Sequence, residues 1–132
     1  MTRMRHLLRR EAGSAPAEFA LVAGLLTLLT LSVLQLAFAL HVRNTTLDAA
    51  AEGARFGALA DNSPADAVER TTDLISTAIG PDYAESVTVS EGTWRGAPAL
   101  TVTVRTTLPL VGLLGVAEGM EVSGHAAIET LD

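Results

Sequence analysis

From Phe19 to Leu40 the chain runs 22 residues without a formal charge, interrupted only by Gly24, Thr27, Thr30, Ser32 and Gln35. As an α-helix such a run spans about 33 Å at roughly 1.5 Å per residue, enough to cross a hydrocarbon core of about 30 Å. This predicts a single membrane-spanning helix at about residues 19–40, with membrane lipid as its first partner. Arg3, Arg5, Arg9 and Arg10 lie before the run and Arg43 follows it closely. The positive-inside tendency therefore leaves the N-terminus in the cytoplasm and residues 43–132 outside it, in a single-pass protein of the cytoplasmic membrane. Ala37-Phe38-Ala39 has the small-x-small pattern of a secretory cleavage site, and cutting there would release a soluble product. The apolar run is longer than the roughly 7–15 residues of an ordinary signal peptide, which favours the membrane anchor.

The span consumes part of a 132-residue chain, so the soluble remainder holds only a small core. The chain has no cysteine, which removes disulfides, thiolate metal sites and a cysteine nucleophile. From Arg43 onward there are five arginines against thirteen acids, and no lysine occurs anywhere. An acidic surface without clustered cations argues against nucleic-acid binding, because phosphate contacts need them.

Beyond the membrane, "RNTTLDAAAEGARFGALA" (43–60) contains no proline, and the helix can continue through it. Leu47, Ala51, Ala54 and Ala58 recur at helical spacing as a narrow, mostly small stripe that would let another backbone approach. Gly53 and Gly57 weaken the helix by about 1 kcal/mol each relative to alanine unless close packing uses them, and fraying here is the competing outcome. Asp61-Asn62-Ser63-Pro64 then breaks the pattern, with Ser63 suited to an N-cap and Pro64 to the first helical position. A second helix is expected from about 64 to 79, with Ala67, Val68, Thr71, Leu74, Ile75, Ala78 and Ile79 on its apolar side and Gly80-Pro81 ending it.

The period then changes to two. Val87 and Val89 alternate with polar neighbours, "EGTWRGAP" (91–98) supplies turn residues, and Leu100, Val102 and Val104 alternate again, which describes a hairpin. "LPLVGLLG" (108–115) is too short to span a bilayer and is expected against the core or at the membrane surface. Met120, Val122, Gly124, Ala126 and Ile128 form a third alternating run. The expected fold class is α+β: a long N-terminal transmembrane helix extending into a small ectodomain with a second helix and a roughly three-stranded antiparallel sheet. Its expected segments are 1–13, a basic cytoplasmic leader; 14–60, the long helix; and 61–132, a small extracytoplasmic α+β domain.

Catalytic chemistry finds little support. His6, His41 and His125 share no metal-ligand spacing, and Ser123 and His125 lie two apart on a strand without an evident orienting acid. No catalytic residue, metal site or cofactor is assigned, and the protein is read as non-enzymatic. Glu18 is the exception to this blandness, since a carboxylate at the edge of the hydrocarbon loses solvation and requires a cation or water. Exposed to headgroup water it would be an ordinary interfacial acid. A cut between Gly13 and Ser14 would instead remove the arginine-rich tail and leave the Ser14 α-amino group one helical turn from Glu18. Pro16 would then be the third residue of the mature chain, where the first-turn N–H groups have no helical partner. In the uncut chain the same proline disfavours helix at Ala15, so residues around the cut are expected to be extended.

The basic leader followed by "GSAPAEF" (Gly13 to Phe19) and an apolar helix resembles the glycine-x4-glutamate-phenylalanine/tyrosine signal of type IV prepilins in tight-adherence (Tad, Flp) pilus systems. "QLAFALHVRNTTLDAAAEGAR" (35–55) is similar to the TadE-like pseudopilins, the whole resemblance covering residues 10 to about 58. It implies a pilin-like fold and a structural role in pilus assembly, cell adhesion or secretion. It further implies a prepilin peptidase cutting after Gly13 on the cytoplasmic side, other pilins or pseudopilins and inner-membrane assembly proteins as partners, and Glu18 pairing with a subunit's N-terminal amine when helices bundle. An ectodomain of about 90 residues fits a minor pseudopilin, whereas the major Flp pilins are much shorter. An uncleaved single-pass membrane anchor whose ectodomain is a binding or adaptor module is the alternative.

Overall fold

The structure, a computed structural model, describes residues 13–108 and 119–130. The leader up to residue 12 and all but the first residue of the apolar segment 108–115 lie outside the described residues. The chain divides into two units, Met1–Ala37 and Phe38–Asp132.

The first element is a single helix, α1 (Ser14–Gly57), of 44 residues. Its first part, in the unit ending at Ala37, exposes its large side chains on all sides, Phe19 at 76% and Leu21 at 71% among them. Thr27, Thr30 and Ser32 turn their hydroxyls back onto the carbonyls of Ala23, Leu26 and Leu28, each at 2.8 Å. Their polar groups are thereby satisfied within the helix, as an apolar solvent demands. By length and composition α1 can cross a membrane.

The second unit contains the end of α1, then α2 (Pro64–Ala78), a 3₁₀ turn (Pro81–Ala84), and strands β1 (Ser86–Trp94), β2 (Ala97–Thr107) and β3 (Gly119–Ala127). The sheet is antiparallel in the order β1-β2-β3. This is the α+β architecture expected, with its second helix and three strands. Ser63 caps α2, and Asp66 completes a capping box: the Ser63 hydroxyl and backbone N–H both donate to Asp66 Oδ2 at 2.7 Å, while the Asp66 N–H donates to Ser63 Oγ at 3.3 Å. These bonds, the side-chain one foremost, hold the Asp66 carboxyl below its ordinary range.

The core lies between one sheet face and the two helices. Leu100, Val102, Val104 and Val122 meet Ile75, Ala67 and the small residues Ala49, Ala50, Ala54 and Ala58. Alternation along β2 behaves as expected, and Ala67, Thr71 and Ile75 form the fully buried row of α2. Ala78, expected on that apolar side, is exposed, because the row is already complete one turn earlier.

The hairpin departs from expectation. Residues 91–98 were expected to form the turn, yet β1 continues to Trp94 and β2 begins at Ala97. The turn has only two central residues, Arg95 at φ 53° and Gly96 at φ 83°. Both being left-handed, the turn's twist matches that of the strands, which allows pairing right up to Trp94↔Ala97.

Candidate functional site

At the start of α1, helix begins at Ser14, immediately after Gly13. Ala15 is therefore helical, contrary to the extended conformation expected before Pro16. The first turn tolerates a proline because its N–H groups have no intrahelical acceptor, and that tolerance outweighs the steric bias on the preceding residue. Glu18 and Phe19 follow on the exposed helix, and a Cβ added to Gly13 or Gly24 would meet nothing within 4 Å.

Further along, within the second unit, α1 changes character. Its buried residues are Val42, Thr46, Ala49, Ala50, Gly53, Ala54 and Gly57. Of the stripe marked in the sequence, Ala54 and Ala58 are buried, Ala51 is half-buried and Leu47 is 39% exposed. The chain's own domain thus covers the later half of that stripe and leaves Leu47 outside. Gly53 and Gly57 explain how α2 comes so close. A Cβ on Gly53 would collide with Thr71 Oγ1 and lie 2.8 Å from the Ala67 carbonyl; one on Gly57 would meet Ala67 Cβ and come within 2.8 Å of Leu100 Cδ2. Gly124 does the same for the sheet, since a Cβ there would run into the backbone of Ala50 and Ala51. Close packing does use these glycines, and their lower helix propensity is offset there.

Two surface features of the second unit carry recognisable chemistry. On the outer face of the sheet, Trp94 and His125 stack with ring centroids 5.6 Å apart and planes 6° from parallel. The stack reaches across β2 from β1 to β3, and Ala99, the outward-facing residue beneath it, is buried. The Arg95 guanidinium lies 4.3 Å from the Trp94 ring centroid. His125 Nδ1 is 2.9 Å from Thr101 Oγ1, while Ser123 Oγ is 3.1 Å from Thr103 Oγ1. Ser123 and His125 each face a hydroxyl on β2, and nothing among the described residues assembles them into a nucleophile–base pair. The other feature is an open groove of about 670 Å³ beside α2, away from its buried row. Phe56 forms its apolar part, with Asp66, Glu69, Arg70 and Asp73 along it. Arg70 lies over the Phe56 ring at 5.8 Å. Among the described residues no group of three or more histidines or acids could hold a metal ion.

A helix that starts at the Gly13–Ser14 junction, carries Glu18 and Phe19 in its first turns, runs uncharged from Phe19 to Leu40 and continues into a small-residue face is the feature that comparison with known families picks out. Residues 13–55 match the family of TadE-like proteins. No curated protein and no solved structure matches the chain. TadE-like proteins are associated with Tad pili, as structural rather than known enzymatic components. The TadE-like segment includes Gly13, Ser14, Glu18, Phe19, Leu47, Ala51 and Ala54, but ends before Ala58, α2 and the sheet. The groove and the Trp94 stack are therefore read from their own chemistry.

Several of these features escaped the sequence reading. The capping box had a readable signal, an acid three residues after Ser63. Gly124 sat within an alternating strand pattern, where a glycine can mark a close backbone approach, though not which backbone approaches. The Trp94–His125 stack had no sequence signal, since its members belong to different strands.

Proposed function

We propose that this chain is a minor pseudopilin of a Tad-type pilus or a related secretion apparatus, a non-enzymatic subunit cut after Gly13 by a prepilin peptidase and assembled through α1. The observation that carries the reading is the coincidence of three boundaries: Gly13 precedes the helix, Ser14 begins it, and Glu18 lies one turn later on an exposed apolar surface. In this reading the N-terminus is cytoplasmic and the second unit extracytoplasmic. Cleavage leaves the Ser14 amine as the cation that a membrane-edge Glu18 lacks, and a neighbouring subunit in the correct axial register supplies it. Leaving Glu18 unpaired in a dry site costs on the order of 2–3 kcal/mol, so the pair discriminates against wrong registers. The apolar face of residues 19–40 supplies the contact surface, and Leu47 with Ala51 extends it beyond the membrane.

The test is the intact mass and N-terminal sequence of the protein taken from membranes of its native host. A chain beginning at Ser14 supports the processing signal. A chain retaining residues 1–13 overturns it and favours the alternative, an uncleaved membrane-anchored binding or adaptor module.

A further inference from the structure

The two surface features of the second unit complement each other, and they occupy different parts of it. The hairpin tip offers an aromatic ring and a cation: Trp94, the chain's single tryptophan, is 39% exposed, and the Arg95 guanidinium is stacked on it. Trp and Arg are the residue types most enriched where a few side chains carry an interface. The groove beside α2 offers the counterpart, with Asp66, Glu69 and Asp73 against the single cation Arg70, a formal charge of −2, and a half-open Phe56 ring at 38% exposure. Phe56 already accepts one guanidinium from within the chain, that of Arg70. No strand residue lines the groove among the described residues, so its own hairpin does not fill it.

We propose that the Trp94–Arg95 hairpin tip of one copy docks into the Phe56–Asp66–Glu69–Asp73 groove of a second copy of this chain. The match is one of charge and of aromatic surface: a cation-capped indole enters a groove of opposite charge with a ring in its lining. Because tip and groove are different patches, the contact is heterologous, and each added copy presents a fresh tip and a fresh groove. Such contacts propagate into rings or open filaments instead of stopping at a symmetric pair. The contact does not depend on cleavage at Gly13, since the unprocessed chain carries both patches.

The absence of cysteine makes the test clean. Full-length chains carrying either Thr93→Cys, beside the tip, or Ser76→Cys, in the groove, are co-expressed in the host membrane and oxidised. The expected product is the mixed Thr93→Cys/Ser76→Cys cross-link. Adding Arg95→Glu to the first chain lowers its yield about tenfold or more, and adding Glu69→Lys with Asp73→Lys to the second restores it. Restoration separates lost docking from misfolding, because a misfolded Arg95→Glu chain is not rescued by a change in its partner. Absence of the mixed product, a yield indifferent to Arg95→Glu, failure of the charge swap to restore it, or a dominant Thr93→Cys self-pair overturns the proposal. Intact masses taken from the same samples show whether residues 1–13 are present, so a failed cross-link and a failed processing signal are read separately.

Discussion

The two stretches of α1 are one helix written in two vocabularies. From Phe19 to Ala37 the large hydrophobic side chains are exposed, whereas from Ala49 to Gly57 the face turned to the domain is alanine and glycine. Among the described residues of its unit the first stretch has nothing to pack on, and it depends on what surrounds it. The second has reduced its side chains until another backbone can touch it, and α2 and β3 do so at Gly53, Gly57 and Gly124. A continuous hydrophobic helix therefore does not imply a continuous kind of interface. Side-chain size, more than hydropathy, distinguishes the part that serves the chain's own fold from the part left exposed.

The sharpest way to break this comparison is to add one methyl group to a glycine within the first stretch and one to a glycine packed against the second. Gly124→Ala places a Cβ against the Ala50 and Ala51 backbone, which cannot rotate away, and should destabilise the second unit by about 3 kcal/mol or more. Gly24→Ala meets nothing and should leave that unit unchanged. Denaturant unfolding followed by the fluorescence of the single Trp94 measures both. Equal midpoints for the two variants would remove the distinction.

A second perturbation works in the opposite direction. Glu18→Ala should leave membrane insertion and the Trp94-reported unfolding midpoint intact while removing the protein from complexes with its partners. At on the order of 2–3 kcal/mol this is a loss of association of about thirtyfold to 150-fold. Normal co-purification of Glu18→Ala with those partners would sink the assigned role.

How far the fold was legible in the sequence follows the range of the interactions involved. The ends of α2 were readable because Ser63-Pro64 and Gly80-Pro81 act on their own backbone, and β2 was readable because burial of one face imposes alternation on Leu100, Val102 and Val104. The likeness to TadE-like proteins from Gly13 onward was legible for a similar local reason, since Gly13 to Phe19 are seven consecutive residues. The extent of β1 was not, because Arg95 occupies a left-handed position where asparagine or glycine is the familiar signal. Which face of α1 the domain buries was not legible, since a run of alanines offers several stripes at helical spacing and only α2 and β3 select among them. The tip and the groove owe their form to tertiary packing and became visible only with it.

The capping box adds a finer contrast within the second unit, between local bonds and long-range contacts. Ser63→Ala should cost about 1 kcal/mol, a smaller effect than the Gly124 collision because it removes a cap without displacing any backbone. Asp66 gives the same motif a pH signature. Its folded-state carboxyl is held below the ordinary range by the Ser63 bonds, so the unfolded chain binds the proton more tightly. The associated stabilisation is fully present above the ordinary carboxylate range and disappears as pH falls through the lowered folded-state value. Asp66→Asn should therefore narrow its stability gap to the unsubstituted protein on acidification, with the gap largest near neutrality. Midpoints measured from pH 7 down to about pH 3 read this directly. A gap that widens toward low pH would mean that Asp66 is not held ionised by its serine, and that the start of α2 depends on the packing of Ala67 against Gly57 instead.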